Sequence, residues 1–294
     1  MTSAEFSPRT EPSLSAAWAN AYLAIRKHSN REISPFAVSI QTPSRLSLSD
    51  TLSDPLVKAI DACLDSEGYQ TVEKVAFTLF PERTWRLCGG DRQEFYKEAM
   101  RNLRTFVTWE PRKNQGGMYF TRLIGFGVNH KSGELIGYEP TKVLAADGNQ
   151  LEHIIRQCKL SVERGRKVAR MQLQAAVFDP FRDLTTSGQP SFPCLQHVVF
   201  DPDVTAKALS LTAFYATQQL FVKAYGNWLG LCRLGTFVAE QAGLKLTRFT
   251  CFVGVQKMDK APKNGPLHDK LFGVVKDIVG EVPADKRAVT ANAK

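Results

Sequence analysis

The chain has 294 residues, 43% of them hydrophobic and 23% charged, which is the balance of a soluble globular protein long enough to bury a full core. Its 38 Lys and Arg against 29 Asp and Glu leave a net charge of +9, compatible with anionic partners such as nucleotides or nucleic acid, but with no dense Lys/Arg block most of these side chains read as a solubilising surface. No apolar run approaches a membrane span, residues 1–15 lack a signal-peptide stretch, and six scattered cysteines show neither a C-x-x-C nor a histidine at ligand spacing. A reduced, cytoplasmic protein without a membrane anchor or a bound metal is the expectation.

Residues 1–14, rich in Ser, Pro and Thr, read as a disordered tail. Ser15 to Lys27 places Ala17, Ala21, Tyr22 and Ile25 at helical spacing, and Phe36 to Ile40 alternates like a strand. Asp54 to Leu64 predicts a helix. Thr71 to Leu79 alternates as a strand, stopped by Pro81. Arg92 to Phe106 is helical, with Phe95, Met100 and Leu103 on its inner face. Asn149 to Val162 predicts a helix with Leu151, Ile154, Ile155 and Cys158 inward, and a strand begins near Arg170 after a basic turn.

The densest pattern runs from Ser191 to Gly243. Cys194 sits behind Pro193. Gln196 to Phe200 and Ala208 to Phe214 read as strands around the acidic turn Asp201-Pro202-Asp203. Trp228 to Ala242 is an apolar helix, and Gly243 is placed for a left-handed cap. A thiol on a proline-stiffened turn beside two strands suits a nucleophile held at a fixed angle. Most intracellular cysteines are small buried hydrophobes, so spacing alone leaves both readings open. Leu244 to Val255 then alternates as a strand, Leu267 to Ile278 is a short helix, and residues 281–294 read as a flexible tail. With no internal repeat and no linker, residues 15–280 form one expected domain.

Phe192-Pro193-Cys194, the strand pair and Tyr225-Gly226-Asn227 at a helix start resemble the catalytic half of the thymidylate synthase family. Gly148 to Ile155 resembles that family's Asp-Gln-Ile/Leu helix, and Arg166 to Val177 its arginine-then-strand segment. Asn114 to Arg122 resembles its Gly-x-x-Tyr-Gly turn. The pieces fall in the family's order over roughly residues 110 to 260. The resemblance implies an α+β fold with a mixed α/β sheet, a homodimer paired through that sheet, and 5,10-methylenetetrahydrofolate as cofactor. It implies Cys194 as nucleophile, Tyr119 in a proton network and Asn227 reading a uracil-type ring. It also implies Arg31, and Arg170 or Arg166 from the partner subunit, as phosphate grips, a task for which a guanidinium fork is suited.

Other positions depart from the family pattern. Its Tyr-x-Arg-Ser-x-Asp run falls on Phe214 to Gln219, putting Ala216 at the arginine and Gln219 at the folate-holding aspartate. Lys257 stands at a ribose-gripping position, Leu195 follows the cysteine in place of histidine, and the C-terminal lid has no counterpart. The proton-transferring glutamate has Glu82, Glu94 and Glu98 as candidates. Two readings follow: a C5 methyl or hydroxymethyl transferase acting on a uracil-type pyrimidine nucleotide, or an inactive homologue serving as a nucleotide-sensing or protein-binding dimer.

Overall fold

The computed structural model describes residues 10–41, 46–109, 118–127, 148–165, 169–184, 193–258 and 260–281. In chain order its elements are β1 (Thr10–Glu11), α1 (Leu14–Arg26), β2 (Glu32–Ile33), β3 (Phe36–Gln41), α2 (Leu48–Ser53), α3 (Pro55–Ser66), α4 (Val72–Phe77), α5 (Glu82–Leu87) and α6 (Arg92–Trp109). There follow α7 (Tyr119–Ile124), α8 (Gln150–Arg164), β4 (Gln174–Ala176), α9 (Pro180–Asp183), β5 (Leu195–Asp203), β6 (Ala208–Gln219), α10 (Tyr225–Gln241), β7 (Lys245–Lys257) and α11 (Pro266–Glu281).

The strands form one sheet in the order β1-β3-β7-β6-β5-β4, with β2 added to β7. The β1–β3 and β6–β7 pairs are parallel and the others antiparallel, which bears out the α+β expectation of a mixed sheet. Helix α10 packs on β6 and β7, with α4 against its outer side. That packing needs glycine. A Cβ on Gly226 would stand 2.6 Å from Val75 Cβ and 2.7 Å from the Val72 carbonyl oxygen, and one on Gly230 would stand 2.7 Å from the Ala76 carbonyl oxygen.

Several expectations are corrected. Thr71 to Leu79 is not a strand. The Thr71 hydroxyl caps a helix by accepting the Lys74 amide, and Val72, Val75 and Ala76 then face α10 on one side. Helical spacing and alternation coincide over so short a run. Disorder over residues 1–14 does not reach Thr10–Leu14: Thr10 and Glu11 pair with Ser39 and Ile40, and Ser13 caps α1. Residues 1–9 and 282–294 lie outside the described residues. Arg170–Gln172 is a 3-10 turn rather than the start of a strand, and Gly243 has the expected positive φ of 74°. Among the described residues no helix is long and apolar enough to cross a membrane.

One irregularity shapes the end of the sheet where Cys194 lies. Burial alternates along β6 through Ala213 and Tyr215, skips Ala216 and Thr217, and resumes at Gln218. Along β7 it runs through Cys251 and Val253, skips Gly254 and Val255, and resumes at Gln256. The two breaks are in register, and a Cβ on Gly254 would stand 2.6 Å from the Ala216 carbonyl oxygen. The register of β5 on β6 shifts at the same level, between Leu195 and His197. A bulge in β5 and the in-register break of β6 and β7 thus lie at one level, and the residues of β6 and β7 beyond it are turned over.

Candidate active site

Cys194 immediately precedes β5. Its carbonyl accepts the Ala216 amide at 3.0 Å, pinning the turn to β6, and its Sγ lies 3.6 Å from Thr217 Oγ1. The bulge presents Thr217 here. Of the six cysteines, Cys63, Cys158, Cys232 and Cys251 are buried, whereas Cys88 and Cys194 are partly exposed.

Tyr119 opens α7, which is anchored by a hydrogen bond from the Phe120 amide to the Thr78 carbonyl at 2.9 Å. It was expected in a glycine turn; residues 114–117 of that turn lie outside the described residues, and Tyr119 itself is helical. Its ring is partly exposed, but its hydroxyl is enclosed beside the Cys194 turn. Burial raises the pKa of this hydroxyl well above the ordinary tyrosine value, and the neighbouring Cys194 charge adds to the effect. The amides of Leu195 and Cys194 and the Arg122 guanidinium act in the opposite direction. Arg122 is itself fixed by Asp183 at 2.6 and 2.9 Å and by the Val177 carbonyl at 3.0 Å.

Asn227 lies in the first turn of α10, which a π-helical turn, Leu220–Ala224, joins to β6. The Trp18 indole donates to the Leu220 carbonyl at 3.0 Å, and the Trp228 indole to Gln218 Oε1 at 3.1 Å, locking this junction. Asn227 is 4% exposed, and among the described residues its side-chain amide makes no hydrogen bond. Neither amide atom is sealed from the surface, so a ligand edge that offers both an acceptor and a donor can pair with it.

The remaining expected residues divide by position. Gln219 and Lys257 are paired neighbours at the ends of β6 and β7, on the Cys194 side of the sheet. Lys257 forms an ion pair with Glu32 at 3.3 Å, and the carbonyl of Arg31 accepts the Met258 amide, so Arg31 joins the same end. Arg170 does not. It pairs with Asp201 at 2.6 Å, six residues along β5 from Leu195 and therefore roughly 20 Å from Cys194 within one chain. Arg166 lies outside the described residues. Of the three glutamates, Glu82 is bound to Arg233 at 2.7 Å and to Arg86, while Glu94 and Glu98 line α6 beside Lys97 and Arg101.

Two features escaped the sequence. The Tyr215 hydroxyl, in a fully buried side chain near Tyr119 and Cys194, has no hydrogen-bond partner among the described residues. Gln150 binds the Ala176 backbone in both directions, at 2.8 and 2.9 Å, and so fastens α8 to β4. A polar residue right after an N-cap asparagine was the available signal for the second; the first had none. Among the described residues no cluster of three His, Cys, Asp or Glu side chains is arranged to hold a metal ion.

No protein-family model matches the chain, and no curated protein matches it. Among solved structures it is similar to thermostable thymidylate synthase A from Bacillus subtilis, at 12% identity and a TM-score of 0.49. The match covers 84% of this chain and 79% of that one.

Proposed function

We propose that this chain is a thymidylate synthase-like C5 one-carbon transferase acting on a uracil-type nucleotide or a related pyrimidine. The observation that carries the reading is Cys194, a partly exposed thiol flanked by the Tyr119 and Thr217 hydroxyls, at the end of the sheet from which α10 presents the unpartnered amide of Asn227. The ordered motifs in the sequence support it.

In this reading the Cys194 thiolate adds to C6 of the ring, and the electron pair moves through C5 to O4. Thr217 Oγ1, 3.6 Å from Sγ, donates to the thiolate before attack and after release. The amide of Asn227 donates to O4 and accepts from N3–H, which steadies the enolate as it forms. Tyr119 keeps its proton at neutral pH and acts as a donor in the network around the ring. Expulsion of the thiolate restores the C5–C6 double bond once C5 has lost its proton. The exposed amide of Gln219 would meet a pterin edge with one donor and one acceptor in place of the family's carboxylate. Methylenetetrahydrofolate, when bound, supplies the one-carbon unit. Lys257 and Arg31 add positive charge for a phosphate or other anionic group.

A homodimer belongs to the same proposal. On the sheet face away from α10, His197, Phe214 and Phe252 align in one row and stay partly exposed, with the His197 and Phe214 rings stacked at 5.7 Å. Pairing of two such faces about a twofold axis would carry Arg170 of one protomer toward the other.

The test is covalent trapping. The protein is mixed with 5-fluoro-dUMP, 5-fluoro-UMP or the free nucleosides, each with methylenetetrahydrofolate, and intact mass is measured. Fluorine blocks loss of the C5 proton, so the expected result is a ring-plus-folate adduct that is absent in Cys194→Ala. The second reading, an inactive nucleotide-sensing or protein-binding dimer, is favoured by Ala216 and Gln219 at the family's arginine and aspartate positions. It becomes the better one if folded, dimeric protein traps none of the four ligands.

A further inference from the structure

On the side of α10 away from the sheet, α2, α4 and α5 enclose a half-open cavity of about 510 Å³, with Leu48, Phe77 and Phe80 among its apolar walls. A smaller recess of about 260 Å³, against Trp85 and Phe237, shares Phe80, Glu82, Arg86 and Arg233 with it and continues the groove. The larger cavity has the size and apolar lining of a small-molecule site. It is separate from the Cys194 region: none of its lining residues belongs to the sheet.

Its charge is unbalanced in one direction. Lys74, Arg83, Arg86 and Arg233 border it, against Glu73 and Glu82. Arg233, 5% exposed, consumes both carboxylates: its Nη atoms donate to Glu73 at 2.7 and 2.8 Å, and its Nε lies 2.7 Å from Glu82. The Leu46 carbonyl and Thr51 hydroxyl also accept from it, at 2.5 and 3.2 Å. Arg86 closes on the same Glu82. Lys74 and Arg83 are left exposed at the rim with no ion pair among the described residues. The buried ion cluster is thus neutralised from within, and the rim carries two uncompensated cations over an apolar, partly aromatic hollow.

We infer that this cavity binds a small flat apolar acid, its ring body against Phe77 and Phe80 and its anionic group between Lys74 and Arg83. The apolar walls supply affinity, and the rim charges select an anion over the neutral body of the same shape. The inference stands independently of the chemistry proposed for Cys194.

Calorimetric titration of the full chain tests it, with 1-anilinonaphthalene-8-sulfonate as the acid and N-phenyl-1-naphthylamine as its uncharged counterpart. The acid is expected to bind at one site per chain, at least about tenfold more tightly than the amine, and with an affinity that falls as salt rises. The doubly exchanged variant Lys74→Glu/Arg83→Glu alters two exposed side chains and keeps the fold, as circular dichroism will verify. It is expected to lose at least about tenfold in affinity for the acid and none for the amine. Equal binding of the two probes, an unchanged affinity in the variant, or loss of binding on alkylation of Cys194 would each overturn the assignment.

Discussion

Replacing Gly226 by alanine tests the packing that holds Asn227 in place. The new Cβ meets Val75 Cβ at 2.6 Å, Val72 O at 2.7 Å and Val75 Cγ1 at 2.8 Å, whereas apolar carbons rest at about 3.5–4.0 Å. The overlap is close to 1 Å, and one of the obstacles is backbone, so α4 as a whole has to move. Overpacking costs about 1–3 kcal/mol, and because α4 offers no flexible side-chain end to absorb it the upper part of that range, about 2–3 kcal/mol, applies. Alanine returns about 0.8–1.0 kcal/mol through its helix propensity. The expected net loss is about 1–2 kcal/mol, a Tm lower by roughly 2–8 °C, read from urea and thermal melts. Gly235→Ala is the control. Its Cβ meets only the methyl ends of Leu246 and Leu211, at 3.0–3.1 Å, so propensity and crowding nearly cancel. Adding Val75→Ala to Gly226→Ala removes only Cγ1 of these obstacles, so Val75 Cβ and the Val72 carbonyl remain and little of the loss is expected to return. A Gly226→Ala protein as stable as its parent would refute the close approach of α4 and α10, and with it the argument for how Asn227 is set.

Iodoacetamide at neutral pH is expected to modify Cys194 first and Cys88 more slowly. The Cys88 thiol is pushed up by partial desolvation and then by Glu94, Glu98 and Asp91. Peptide mapping that finds equal rates at all six cysteines would remove the basis for a nucleophile at Cys194. Arg233→Met leaves Glu73 and Glu82 facing each other without their shared cation, and a loss of about 3–5 kcal/mol in urea melts is expected. Burial pushes the Cys158 thiol up to about 12 from 9.0, and raises those of Cys63, Cys232 and Cys251 as well. The folded state therefore retains protons that the unfolded chain releases. This contribution to stability is complete below about pH 8 and declines as pH rises through 9 toward 12, which melts at stepped alkaline pH will follow. Tyr119→Phe is expected to lower any Cys194-dependent rate by a constant factor from pH 6 to 9, because burial keeps the hydroxyl protonated across that range. A change in the shape of the pH profile would show that the tyrosine titrates there.

Much of this architecture was legible in the residues. Leu151, Ile154, Ile155 and Cys158 all face inward on α8, and Gly243 ends α10 with the expected left-handed turn, because long periodic helices and glycine caps are local properties. Val72 to Phe77 fits either period, because its six residues hold four apolar positions, and a threonine cap decides the matter. The end of the sheet was harder to read. Alternation along β6 and β7 predicts which side Tyr215 and Val253 face, but the in-register break that turns Gln218 and Gln256 inward is a property of two strands together. Cys194 was visible as a residue type in a turn. That Thr217 would stand beside it depends on the same break.

That bulge also separates folding from chemistry. Its shape is set by backbone, the Ala216 carbonyl against Gly254, and beyond it Thr217, Gln219 and Lys257 support none of the hydrophobic core. Side chains there can be exchanged at almost no cost to the rest of the molecule, whereas an alanine at Gly254 would collide with the neighbouring strand. A combinatorial library at 217, 219 and 257 would therefore vary the surface beside Cys194 while the chain keeps folding.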